Sequence, residues 1–91
     1  MRSVRALRFK RLYSGLPLNV RIRADNAFRR WLNDTSHPGV NFEKVDEEHN
    51  IWSARIDRNY RALCTKDEVN GESVYTWFWI GPHDEYERLI G

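Results

Sequence analysis

A histidine and a tyrosine follow directly after the most apolar stretch of this chain. Residues 74–80 are a near-continuous run of β-forming side chains that ends at Gly81-Pro82, and His83 and Tyr86 come next. Histidine can act as an acid or a base near neutral pH because its ordinary pKa is about 6.5. A strand that ends in such side chains could hold catalytic groups on a rigid support. The alternative is that His83 caps a helix or lies on the surface and that Tyr86 is a packing lid.

The apolar pattern divides the chain into a helical first part and a β-rich second part. Apolar residues at steps of three and four predict helices over residues 5–14 and 16–32, and the short break between them favours an antiparallel hairpin. Beyond a turn cluster at 33–39, a period of two predicts strands over residues 42–46, 52–56, 60–65 and 74–80, with a polar loop at 66–73 and a short helix or turn at 85–90. This order predicts one α+β domain over residues 1–91, with the helical hairpin on one face of a small antiparallel sheet.

The composition limits the class of protein. A hydrophobic content of 41% and an aromatic content of 13% favour a globular fold. The single cysteine, Cys64, excludes an internal disulfide, and the scattered histidines show no metal-ligand spacing. We therefore expect no metal and no other cofactor. No stretch has the character of a signal peptide or a membrane span, so we expect no membrane partner and a cytoplasmic location.

The net charge of +2 conceals a strong asymmetry along the chain. Residues 1–33 carry nine Lys or Arg and one acid, whereas residues 34–91 carry six Lys or Arg and twelve acids. A basic half of this kind favours an acidic partner, which can be nucleic acid or an acidic protein segment. The alternative is a basic face that serves only solubility.

The loop Asp57-Arg58-Asn59 fixes the pairing of the strands around it. Buried apolar side chains must share one face of the sheet, and this condition selects the register. With a three-residue loop, the pairs that face the helices are Ile56 with Tyr60, Ala54 with Ala62, and Trp52 with Cys64.

The same register places Arg55 opposite Arg61 on the other face of the sheet. Like charges in this position are unfavourable by up to roughly 1 kcal/mol. Two interpretations remain open: nearby acids such as Glu43 or Asp57 neutralise the pair, or the pair binds a phosphate, which arginine contacts through two parallel hydrogen bonds. The strand over 74–80 ends near this face and should bring the histidine and the tyrosine close to both arginines.

The order of these motifs resembles the RelE/ParE superfamily of toxins from toxin–antitoxin systems, and in particular its RelE-like branch. The motifs are the helical hairpin, the His37-Pro38 turn, Phe42-Glu43-Lys44, Trp52-Ser53-Ala54-Arg55-Ile56, Asn59-Tyr60-Arg61-Ala62-Leu63, and Trp77-Phe78-Trp79-Ile80-Gly81-Pro82-His83-Asp84-Glu85-Tyr86. The resemblance implies two helices packed on a curved antiparallel sheet. It also implies a toxin that enters the ribosomal A site and cuts mRNA without a metal ion.

The resemblance assigns roles to particular residues. Arg61 matches the arginine of the family's Tyr-Arg strand motif, His83 matches a basic residue that acts as an acid or stabilises charge, and Tyr86 matches the aromatic hydroxyl that follows. Lys44 matches a basic residue before the hairpin and would bind substrate, together with Arg55, which the register adds. The partners implied are a cognate antitoxin, the ribosome and mRNA.

Two departures from the family pattern leave alternatives open. Members begin with a full strand, whereas residues 1–5 are barely long enough, so this strand is short or absent. Asp84 and Glu85 stand where the RelE archetype has basic residues. The ParE branch shares the fold but poisons DNA gyrase, and an inactive antitoxin-binding module is a third possibility.

Overall fold

Three helices and five strands follow one another along the chain, and the computed structural model describes all 91 residues. The elements are β1 Arg2–Arg5, α1 Leu7–Ser14, α2 Leu18–Asn33, β2 Glu43–Asp46, β3 Ile51–Arg55, β4 Tyr60–Val69, β5 Glu72–Pro82 and α3 His83–Ile90. The α+β class is confirmed, as is the packing of the helical hairpin α1–α2 on one face of the sheet. None of the helices is long and apolar enough to cross a membrane.

The sheet has the strand order β1-β5-β4-β3-β2 and is mixed. Strand β1 is present but short, and it runs parallel to β5, with Arg2 beside Val74 and Arg5 beside Trp77. The prediction of a wholly antiparallel sheet is therefore wrong at this edge. The pairing continues one residue further, because the Ala6 backbone N–H donates to the Trp77 carbonyl at 2.9 Å. Four residues suffice for this strand because β5 offers a ready-made row of donors and acceptors.

The hairpin of β4 and β5 is longer than the sequence suggests, and the predicted loop at 66–73 is wrong. Only Asn70 and Gly71 form the turn, with φ angles of 53° and 78°. Two consecutive residues with positive φ are typical of a type I′ turn, which Asn-Gly favours. The residues before this turn, from Asp67 to Val69, are exposed. Their polarity therefore reflects exposure of the hairpin tip and not a break in the strands.

The larger core lies between the helical hairpin and the sheet, and its centre is Trp31 of α2. This side chain is 1% exposed. Its ring meets those of Tyr75 and Trp77 edge-on, at centroid distances of 4.9 and 5.2 Å. Aromatic pairs in this arrangement add roughly 0.5–1.5 kcal/mol beyond their burial. The β5 strand is thereby fixed against the helices.

The register predicted for β3 and β4 is confirmed. Ala54 pairs with Ala62, and Trp52 pairs with Cys64. Both pairs face the helices, within or against the larger core. Tyr60 differs from the prediction, because it is half-buried and lines a surface groove next to Pro82 and His83 instead of joining that core.

A bulge in β5 supplies both faces of the sheet with tryptophan. Cys64 pairs with Trp77 and Leu63 pairs with Trp79, so Phe78 is the extra residue. Without this bulge, two tryptophans spaced two residues apart would share one face. Trp77 instead joins the helix-side core, whereas Trp79 packs with Leu63 and Tyr86 on the other side. The prediction that this strand is covered on both faces is confirmed.

Candidate functional site

Two arginines stand directly opposite each other on the face of the sheet away from the α1–α2 hairpin. Arg55 of β3 pairs with Arg61 of β4, and Arg61 in turn pairs with Gly81 of β5. Neither guanidinium has a carboxylate oxygen within 4.0 Å. Asp57, one of the acids that could have neutralised the pair, lies 3.3 Å from Arg23 instead. Of the two interpretations left open by the sequence, direct neutralisation by ion pairs is not what the fold provides.

Arg61 is oriented by the turn that precedes it. Its Nη1 donates to the carbonyl oxygens of Asp57 at 2.7 Å and Tyr60 at 2.9 Å. Partial burial, followed by the charge of Arg55, lowers the pKa of Arg61, although Tyr86 and two acids act in the opposite direction. The guanidinium stays charged, because arginine does not deprotonate in proteins. The lowered pKa therefore marks a positive charge that an anion would stabilise.

His83 begins α3 and is attached to the same turn. Pro82 occupies the position before the helix, and the His83 backbone N–H donates to the Asn59 carbonyl at 2.8 Å. The imidazole Nε2 lies 3.3 Å from Glu87 Oε1, one helical turn further on. About a third of the His83 side chain is exposed, at 36%. An imidazole at the surface beside the β3–β4 turn is accessible to a ligand that sits on the arginine pair.

Tyr86 joins this end of the sheet from below. It is buried, with 8% exposure, and packs with Leu63 and Trp79. Its ring centroid lies 5.6 Å from that of His83, at an angle of 38°. Tyr86 is also close enough to Arg61 to influence its pKa. The packing interpretation of Tyr86 and its place beside the candidate site are therefore both correct.

Gly81 has a role that the sequence pattern did not reveal. A Cβ atom placed on it would lie 2.6 Å from Cζ2 of Trp79, so the indole ring lies across this glycine. Gly81 is the strand partner of Arg61. The ring can therefore fill the space between Arg61 and Tyr86 only because position 81 has no side chain. A glycine inside a strand pattern was the available signal, since it often marks close approach of another group.

Lys44 lies on the opposite face of the sheet from the arginine pair. Its strand partner is Trp52, which packs towards the helices. The Lys44 ammonium is 5.7 Å from the Trp52 ring centroid and 3.3 Å from Glu47 Oε2. Alternation along β2 explains this position, because the neighbouring residue Glu43 occupies the arginine face. The structure brings together Arg55, Arg61, His83 and Tyr86, but it does not bring Lys44 to them.

Comparison with solved structures places the fold. The chain is similar to the "YoeB/ParE toxin from Agrobacterium tumefaciens", with a TM-score of 0.68 and 15% identity over 91% of this chain and 99% of the other. It is also similar to a chain of the "RelB-RelE antitoxin-toxin complex from Methanococcus jannaschii", with a TM-score of 0.65 and 15% identity over 97% and 99%. At this level of identity the likeness concerns the fold alone. The class that the fold defines is the RelE/ParE superfamily of toxins.

The sequence places the chain more narrowly. The family described as "ParE-like toxin domain" matches residues 18–88, from the start of α2 into α3, and the chain belongs to this family. The match contains all the candidate site residues and omits β1 and α1. No curated protein matches the chain by sequence. The expected kinship with toxins of toxin–antitoxin systems is confirmed.

Proposed function

We propose that this toxin is a ribosome-dependent endoribonuclease that cuts mRNA without a metal ion and so arrests translation. One observation carries the proposal: Arg55 and Arg61 face each other on the open side of the sheet with no carboxylate within 4.0 Å of either. Two guanidiniums in this position match a phosphodiester, which accepts parallel hydrogen bonds from arginine. His83 and Tyr86 lie at the same end of the sheet.

The reaction proposed is an internal transfer of the phosphate. The 2′-hydroxyl oxygen of the message attacks the adjacent phosphorus, a new P–O2′ bond forms, and the bond to the 5′-oxygen breaks. Arg61 and Arg55 would stabilise the additional negative charge on the phosphate oxygens in the transition state. His83 would donate a proton to the leaving 5′-oxygen, or alternatively accept the proton of the 2′-hydroxyl. The products are a 2′,3′-cyclic phosphate and a free 5′-hydroxyl.

The remaining groups would position the RNA. Tyr86 would orient a nucleotide by stacking or by a hydrogen bond from its hydroxyl. Lys44 would add only general positive potential, because it lies on the helix side of the sheet. The basic side chains of α1 and α2 would contact phosphates of ribosomal RNA, and binding to the ribosome should therefore weaken steeply with salt.

We also propose a cognate antitoxin as the second partner. One of the two structural neighbours is the toxin chain of an antitoxin–toxin complex, which supports this assignment by analogy. Residues 1–33 carry nine basic side chains, so an acidic or amphipathic segment of the antitoxin could fold across this surface or over the arginine face. Such a complex would act in the cytoplasm, where the ribosome is.

The test is expression of the toxin and of single variants from a tightly controlled promoter. We expect His83→Ala and Arg61→Ala to relieve the arrest of translation, since each removes a group that acts in the transition state. His49→Ala is the matched control, because His49 is an exposed histidine on the β2–β3 turn, where it pairs with Asp46. Mapping of 5′ ends should show new cleavage sites within messages only in the wild type and the control. If folded His83→Ala and Arg61→Ala proteins cut messages as well as the wild type does, the mechanism is wrong.

A second candidate function is inhibition of DNA gyrase. The family that matches is described as ParE-like, and two acids, Asp84 and Glu85, occupy the first turn of α3 next to the candidate site. Acids in this position disfavour a polyanionic substrate. A gyrase inhibitor would leave messages intact, would induce the response to DNA damage, and would remain toxic in His83→Ala. An inactive antitoxin-binding module would cause no growth defect in any of these experiments.

A further inference from the structure

A second groove lies on the helix side of the sheet, away from the arginine pair. It has a volume of about 380 Å³ and is formed by the loop after α2 together with side chains of the sheet. The side chains that matter here are Ser36, His37, Asn41, Trp52, Lys66 and Tyr75. Ligand pockets for small molecules begin at about 300 Å³, so a single nucleotide fits this volume.

The wall of the groove is aromatic and cationic at once. The Lys66 ammonium lies 5.4 Å from the ring centroid of Trp52 and 5.8 Å from that of Tyr75. Phe42 stacks on Trp52 with a centroid distance of 5.0 Å and an angle of 18°, which extends the flat surface. No acidic residue lines the groove, although residues 34–91 carry twelve acids. Aromatic surface beside an uncompensated ammonium is the combination that single-stranded nucleic acids bind.

Asn50 fixes the two principal groups of this wall relative to each other. Its side-chain oxygen accepts from Trp52 Nε1 at 3.0 Å, and its side-chain amide donates to the Lys66 carbonyl. The Lys66 backbone N–H in turn donates to the Asn50 carbonyl at 3.2 Å. Asn50 holds a φ angle of 52° while it makes these bonds. Tryptophan and lysine are therefore oriented before any ligand arrives.

The loop on the other side of the groove supplies donors and acceptors. His37 Nδ1 accepts from the Gly39 backbone N–H at 3.0 Å, which leaves its Nε2 as the free ring atom. Asn41 is exposed and has a φ angle of 46°. The Ser36 hydroxyl adds a further polar group. Such groups suit the edges of a base or the hydroxyls of a ribose.

We propose that this groove holds one nucleotide of an RNA strand, with its base against the aromatic wall and its phosphate on Lys66. The inference rests on the proposed ribonuclease function, which it deepens by adding a subsite outside the reacting centre. The strand would bind the chain at two places on opposite faces of the sheet. Contact in the groove would then contribute to affinity and to orientation of the message or of ribosomal RNA, and not to bond breaking.

The test is a titration of the ¹⁵N-labelled full chain with a 2′-O-methylated tetranucleotide, which binds as RNA does but cannot be cut. We expect shifts of the Trp52 indole signal and of the Ser36 and Asn41 amides. Lys66→Gln should weaken binding at these signals roughly threefold to tenfold and should reduce the slope of log K against log salt by about 0.7, the contribution of one phosphate contact to a single strand. Lys10→Gln removes the same charge from α1 and should leave the signals of the groove unchanged.

The arms of the experiment separate the possible occupants. An Arg61→Ala protein should retain the groove shifts, so that failure of the catalytic assignment and failure of this one are distinguishable. Absence of the shifts, or shifts unaffected by Lys66→Gln, would overturn the proposal. It would equally be overturned if a polyglutamate peptide shifted these signals while the tetranucleotide did not, because the groove would then be a site for acidic protein.

Discussion

The opposed arginines should make the free toxin less stable than it could be, and Arg55→Gln tests this directly. Arg55 is exposed, and its side chain makes no hydrogen bond or ion pair within the chain. Its removal therefore costs little beyond a change of side-chain type. It ends the repulsion with Arg61, which for directly opposed like charges on a sheet is about 0.2–1 kcal/mol. We expect the free energy of unfolding to rise by about 0.5 kcal/mol.

Arg61→Gln should behave differently although it removes the same charge. Arg61 Nη1 donates to two backbone carbonyls of the β3–β4 turn, those of Asp57 and Tyr60. Each such bond contributes about 0.5–1.5 kcal/mol, which outweighs the repulsion that is relieved. The opposed pair should thus give stability changes of opposite sign. An increase of 0.5 kcal/mol corresponds to a rise in Tm of roughly 2–4 °C for a domain of this size.

The assay is urea and thermal unfolding followed by tryptophan fluorescence and circular dichroism, at low salt and at 1 M salt. Arg30→Gln, an exposed arginine of α2, is the control for net charge. The gain in Arg55→Gln should largely disappear at 1 M salt, where the Debye length is about 3 Å. Inorganic phosphate at ten times its Kd should stabilise the wild type by about 1.4 kcal/mol and the variant by less. A loss of stability in Arg55→Gln, or a gain no larger than in Arg30→Gln, would refute this account of the arginine face.

Two further predictions concern the packing and the pH dependence. Gly81→Ala should lower the free energy of unfolding by about 1–3 kcal/mol, because the new methyl group displaces the Trp79 ring, whereas Gly15→Ala meets its nearest atom at 3.6 Å and should be tolerated. Hydrogen bonding to Asp46 raises the pKa of His49 above its ordinary 6.5, and the bonds from His49 lower that of Asp46 below 3.8. The pair stabilises the turn fully between these ordinary values, and its contribution falls below pH 3.8 and above pH 6.5. An NMR titration of Asp46→Asn should show the His49 pKa moving down, and an unchanged pKa would contradict the pairing.

The sequence by itself determined the register that creates the arginine pair. Alternation of Trp52 and Ala54 with polar neighbours, closed by a three-residue turn, allows only one pairing that buries the apolar set. The period of the apolar residues in α1 and α2 was likewise a local property of the chain. These features depend on neighbours a few residues apart, so they can be read without knowledge of distant contacts.

The tertiary structure alone decided how the distant parts meet. The parallel pairing of Arg2 with Val74 joins the two ends of the chain, and the bulge at Phe78 sends Trp77 and Trp79 to opposite faces. Neither has a local signal, because both depend on which strand lies alongside. The same holds for the position of Lys44, whose face follows from the exact start of β2. Charge and type of a side chain are properties of the sequence, but the group it meets across the sheet is fixed only when long-range pairing has been completed.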